Sequence, residues 1–344
     1  MATTFAVPDG RVAMNAVLRN GFGFGASGGS ITSLNFRPDL VWEKARNNTY
    51  NHQLIDSVRG ASKSLHSNLT SAEDTFPTYF LSFNTNGYTL GAGDYNTGDT
   101  LVDWCWKAGG TAVSNTAGTI TSSVSANTTA GFSVVTFTGN GVDTLSGVAT
   151  VGHGLGVVPS FIITKKRSSG TDYNWSTYHI SNGNANIWLN LINAKNPGNW
   201  VTAPAANVFT PPVSLYGNES GVNYVAYCWA PVAGYSAFGS YTGNGSADGP
   251  FIYTGFRPRW VMIKGSSLAS NWNIFDSSRA TYNANDTVLF ADLSNAESSP
   301  ATSPIDFLSN GIKIRNATGA TNSSGNTYIY AVFAENPLKY SNAR

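Results

Sequence analysis

The chain has 344 residues, enough for two or three domains of ordinary size, and its 20 Lys and Arg against 19 Asp and Glu leave a net charge of +1. So balanced a surface offers no basic field to hold a phosphate backbone and no acidic tail, which removes nucleic acid from the expected partners. Low charge, many aromatics and 36 Gly, with abundant Asn, Ser and Thr, favour strands joined by polar turns over long helices.

The first ten residues contain neither a basic segment nor an apolar run of the secretory kind, and no stretch approaches a membrane-spanning length. Folding in a reducing cytosol without membrane insertion is therefore expected. Residues 1–30 are expected to form an N-terminal leader. Its Met14-Asn15-Ala16-Val17-Leu18, ahead of Asn20-Gly21-Phe22-Gly23, is the candidate attachment segment to partner proteins. A first β module is expected over 31–110, a Ser/Thr/Ala-rich linker over 111–130, a second module over 131–234 and a third over 235–344.

The division rests on an internal repeat. Three proline-centred strands, Phe36-Arg37-Pro38 to Lys44, Val157-Val158-Pro159 to Lys165, and Phe256-Arg257-Pro258 to Lys264, each end in lysine six residues past the proline. Uneven spacing between the copies argues for bead-like modules rather than a tight solenoid. A second block follows in each copy: Asn51-His52 to Arg59, Asn174-Trp175 to His179, and Asn271-Trp272 to Arg279. Its rough alternation of apolar and polar residues suits a half-buried strand. Each module then closes with a glycine turn and an apolar strand: Gly98 to Trp106, Gly221 to Trp229, and Gly325 to Phe333. The second and third copies also open with a strand ending in Thr-Gly-Asn-Gly, at 138–141 and 242–245, which predicts a hairpin. The first copy lacks a clean match.

Comparison between copies removes most candidate chemistry. Asp56 with Arg59 and Asp276 with Arg279 could serve acid-base work, but the middle copy has His179 at that place and no matching arginine. A loop-fixing ion pair is the expected role. His52, His66, His153 and His179 have no metal-binding spacing, no GxSxG elbow is present, and Gly152-His153-Gly154-Leu155-Gly156 reads as a turn, not a phosphate loop. No catalytic residue, cofactor site or metal site is expected. Cys105 and Cys228 occupy one repeat position, filled by Val332 in the third copy. That substitution predicts two buried free thiols.

The run Thr254-Gly255-Phe256-Arg257-Pro258-Arg259-Trp260-Val261-Met262-Ile263-Lys264, followed by Asn271-Trp272 and Phe275-Asp276-Ser277-Ser278-Arg279, resembles an uncharacterised repeat module of virion structural and tail-fibre-like proteins of marine bacteriophages, cyanophages included. The likeness is close in the third copy, partial in the second, and looser over most of residues 30–340; the first copy departs from it at His52 and Glu43. It implies a particle component assembled in the host cytoplasm and no enzyme. Tandem β-sandwich or jelly-roll-like modules are the fold expected from short alternating strands and regular turns. The leading expectation is a tail fibre or surface appendage contacting the host envelope, through a glycan or another envelope receptor. A capsid decoration or cement protein, and a glycan-binding or glycan-degrading sandwich protein, are the alternatives. A homotrimer and a single chain occupying a threefold position are both open.

Overall fold

The computed structural model describes residues 6, 7, 9–142, 147–168, 173–198, 200, 202–212, 216–299 and 301–337. Parts of the expected leader (1–5 and 8) and of the third module (338–344) lie outside them. The chain is all-β, built from antiparallel sheets, and among the described residues helix is confined to short 3-10 turns.

Each repeat builds one central sheet in which the closing strand lies between the opening strand and the lysine-ended strand. In the first module the order is Met14–Asn20, Thr100–Trp106, Leu40–Ala45, Gln53–Asp56. In the third it is Ser236–Thr242, Thr327–Pro337, Phe256–Gly265, Asn273–Asp276, Leu289–Phe290. The second runs Phe132–Thr138, Asn223–Trp229, Phe161–Lys166, Ser176–His179, Ile187–Trp188, with two more strands outside Phe132–Thr138. Register is shared as well: Met14 faces Trp106, Phe132 faces Trp229, and Ser236 faces Phe333.

That register corrects two readings of the sequence. Met14–Asn20, expected to be part of a leader for attachment, is the first module's missing opening strand, and Met14 and Ala16 are buried in the common core. Residues 111–130, expected to be a linker, carry Val113–Asn115 and Ser122–Asn127, which extend the second sheet at its edge. Small and β-branched residues without charge suit an edge strand as well as a connector, and composition alone does not separate the two.

The Asn-Gly segments do not close two-residue hairpins either. The strand before each pairs with a closing strand some 80 residues later, and the asparagine is held across that distance. Asn140 N–H donates to Asn218 Oδ1 at 3.0 Å, and Asn244 N–H donates to Asn322 Oδ1 at 2.8 Å. In the first module Phe22 N–H donates to Asp94 Oδ2 at 2.7 Å in the same place.

A smaller sheet packs over the outer face of each central one: Gly29–Ile31 with Phe80–Asn84 and Gly87–Leu90 in the first, Val151–Gly152 with Val208–Phe209 in the second, Phe251–Tyr253 with Ile305–Leu308 and Gly311–Ile314 in the third. The inner faces of all three central sheets meet in one core, which corrects the bead-like picture. Trp42, Trp104, Trp106, Phe132, Trp229, Trp260 and Phe333 belong to a single buried cluster. Trp106, Trp229 and Phe333, one from each copy at one repeat position, converge there, with ring centroids 6.0 Å apart for Trp106 and Trp229 and 5.7 Å for Trp106 and Phe333. Burial on both faces is why a strand such as Tyr224–Trp229 reads as an unbroken apolar run. Along Thr100–Trp106, Val102, Trp104 and Trp106 point to the common core, while Cys105 points to the module's own. Cys228 faces the corresponding core of the second module. Both thiols are free and buried.

Candidate binding cleft and the clasps beside it

The residues singled out by the repeat sit between modules. Trp175 Nε1 donates to the carbonyls of His66 (2.9 Å) and Leu69 (3.1 Å), and Trp272 Nε1 donates to that of Trp188 (2.9 Å). At the same position His52 Nε2 lies 2.9 Å from the Phe290 carbonyl. Its Nδ1 accepts from Trp42 Nε1 at 2.9 Å, so the hydrogen belongs on Nε2 and the ring imitates an indole N–H. Burial first, and Lys44 second, push this imidazole down to about 3, so it stays neutral. Each module therefore holds the one before it, and the first holds the third, closing a ring.

Two of the three repeat lysines and the Asp-Arg pairs strengthen these contacts, while Lys44 donates to the Ala45 and Asn48 carbonyls of its own module. Lys165 Nζ donates to the Thr70 carbonyl at 2.6 Å and Lys264 Nζ to that of Ile192 at 2.9 Å. Arg59 pairs with Asp56 and, at 3.0 Å, with Glu73, which also takes Arg167 of the second module at 2.9 Å. Tyr227 OH donates to Asp56 Oδ2 at 2.9 Å. The third-to-first contact repeats the pattern: Arg279 pairs with Asp276 and Glu297, Arg46 pairs with Glu297 at 2.8 Å, and Trp104 Nε1 donates to Asp276 Oδ2 at 3.0 Å. Burial works against the charge on Asp276, yet Arg279 and these hydrogen bonds hold its carboxyl below the ordinary value. At the second-to-third contact, Ala331 stands where Tyr227 and Trp104 stand and offers no side-chain donor. There His179 Nε2 meets the Tyr330 carbonyl at 3.1 Å, burial pushing the ring down to about 4. The loop-fixing role expected for the Asp-Arg pairs is present, since Asp56 Oδ1 accepts from Val58 and Arg59 N–H at 3.0 and 2.8 Å. What sequence comparison missed is the partner in the next module.

A cleft of about 910 Å³ opens on the first module. Its walls come from the loops near residues 24, 50–53, 66–79 and 93–96. Phe24 (80% exposed) and Phe76 (41%) stand at the surface, and Tyr50 and Tyr95 meet at 5.2 Å between ring centroids. Asn51, Gln53 and Asn96 add amide groups. The second module fixes one wall, because the Leu69 and Thr70 carbonyls and Glu73 are the atoms held by Trp175, Lys165 and Arg167. His66 also lines it, with Nδ1 at 2.6 Å from the His52 carbonyl and Nε2 at 2.8 Å from Asp74 Oδ2. Both ring nitrogens thus face acceptors, leaving no lone pair directed at a substrate.

Beneath the cleft one cation serves three acids. Arg19 holds Glu43, Asp94 (3.0 Å) and Asp103 (2.7 Å), while Tyr79 and Tyr88 donate hydroxyls to Glu43 and Asp103. Burial, with the charge of Asp103 added and Arg19 opposing, pushes the Glu43 carboxyl up to about 8. The sequence marked Glu43 as a departure from the repeat; it missed the cleft itself, because a site present in one copy fails any test that asks for recurrence.

A family model described as a domain of unknown function, DUF7483, matches residues 12–337, and the chain belongs to that family. No curated protein and no solved structure matches it.

Proposed function

We propose that this member of the DUF7483 family is a structural protein of a bacteriophage particle, a tail fibre or similar surface appendage whose exposed loops contact the host envelope. The observation that carries the reading is the use made of the repeat's polar residues. His52, Trp175, Trp272, Lys165, Lys264 and the Asp-Arg pairs are spent on joining modules into a closed ring. Such an investment suits a rigid component of an assembly. The resemblance of the third copy to tail-fibre-like modules supplies the setting, and fold alone would not.

Three modules closed into a ring also suit a single chain standing on a threefold position, in place of a homotrimer. Contact with other virion proteins is assigned to surfaces outside Met14–Asn20, since that strand is built into the first sheet. Immunogold electron microscopy of intact particles, with antibody raised against the whole chain, tests the assignment. Gold on tail appendages is expected; gold over the head would move the chain to a decoration role, and unlabelled particles would overturn the virion reading.

A further inference from the structure

We infer that the cleft of the first module binds a neutral glycan chain, with sugar faces stacked on Phe24, Phe76 and Tyr50 and sugar hydroxyls met by the amides of Asn51, Gln53 and Asn96. The inference rests on the reading of the chain as a host-contacting surface protein, and it names the ligand class. Its size lies near the top of the roughly 300–1,000 Å³ range of small-molecule sites, which suits an oligosaccharide segment better than a single small metabolite.

The chemistry of the walls selects the ligand. Aromatic rings offer flat apolar faces, and a sugar ring presents a C–H face of the same kind with hydroxyls around its edge. Among the described residues no lysine or arginine lines the cleft, and the one imidazole is committed to the His52 carbonyl and Asp74. An anionic chain would find no counter-charge. Ser71 Oγ, also in the wall, is buried without a hydrogen-bond partner.

Binding without cleavage follows from the carboxylates. Cleavage of a glycoside asks for two acids free to move protons on either side of the bond. Of the two aspartates in the wall, Asp74 is engaged by His66 at 2.8 Å and Asp94 by Arg19 and the Phe22 N–H at 3.0 and 2.7 Å. The wall is also set before the ligand arrives, because the clasp from the second module holds residues 69–73. Preorganisation of that kind reduces the ordering cost of binding.

The test uses the full chain and immobilised neutral hexasaccharides with β-1,3, β-1,4, α-1,4 and α-1,6 linkages, beside an anionic uronic-acid hexasaccharide. Saturable binding to at least one neutral probe is expected, with affinity lowered about tenfold or more in the Phe24→Ala/Phe76→Ala variant, as for aromatic anchors of other interfaces. Both rings stand at the surface, so that variant should keep its melting temperature; Tyr282→Ala, which removes an 83% exposed ring of the third module, should keep its affinity. Tighter binding of the anionic probe, equal binding by the Phe24→Ala/Phe76→Ala variant, release of shortened sugars, or no binding at millimolar probe would each overturn the inference. None of these results bears on where antibody falls on the particle, so the two readings fail separately.

Discussion

Replacing Arg59 by methionine isolates what one clasp contributes. The guanidinium is fully buried and bonds Asp56, Glu73 at 3.0 Å, the Leu54 carbonyl at 2.6 Å and Tyr227 OH at 3.2 Å. Methionine fills much of the volume but leaves the Asp56 carboxylate buried beside Tyr227 OH and two backbone N–H groups. Stranding one partner of a buried pair costs about 3–5 kcal/mol. With an unfolding entropy of ~2.1 cal/mol/K per residue, that cost lowers the melting temperature by about 4–7 °C for a chain of this length. Asp56→Asn/Arg59→Met removes the stranded charge together with the cation and is expected to recover about half the loss. Thermal unfolding followed by tryptophan fluorescence reads both variants. A loss below about 1 °C for Arg59→Met, or a double variant weaker than the single one, would refute the reasoning.

Three further outcomes follow from the same packing. Glu43→Gln separates a titration: the folded carboxyl is raised to about 8, so its contribution is complete below the unfolded value near 4.5 and is lost as pH rises through 8. The variant should therefore gain on the native chain as pH rises from 5 to 8, and urea midpoints across that range would show a flat difference if Glu43 ionised normally. Cys105 and Cys228 are buried, and burial raises both thiols; a thiol-specific disulfide reagent should label neither in the native chain and both in urea. At Gly10 a Cβ would fall 1.9 Å from the Ala334 carbonyl oxygen, so Gly10→Ala should cost on the order of 2 kcal/mol, read as a lowered urea midpoint.

How much of this was legible in the sequence depends on the residue. The lysine-ended and closing strands are visible because both faces are buried, which leaves long apolar runs such as Tyr224–Trp229. The shared Cys105 and Cys228 position announces a small apolar pocket because Val332 replaces it. Met14–Asn20 escaped recognition because it lacks the Thr-Gly-Asn-Gly ending that marks its counterparts at 138–141 and 242–245, and its Leu18, on the face of Met14 and Ala16, is 42% exposed. The ring could not be read at all. His52 and His179 look like departures from the repeat, and only three-dimensional contact reveals that an imidazole N–H reaches the carbonyl an indole would reach, or that a missing arginine goes with Ala331 in place of a donor. The cleft is illegible for a related reason: Phe24, Tyr50 and Phe76 are far apart in the chain, and only the fold brings them to one cleft.

Closure of the three modules around Trp106, Trp229 and Phe333 is the claim on which the rest stands, and differential scanning calorimetry of the intact chain tests it most directly. One transition with equal calorimetric and van't Hoff enthalpies is expected, because no module keeps its core when a neighbour unfolds. Two or three resolved transitions, each carrying the enthalpy of about a hundred residues, would mean that the modules fold alone and that the ring is not what holds them.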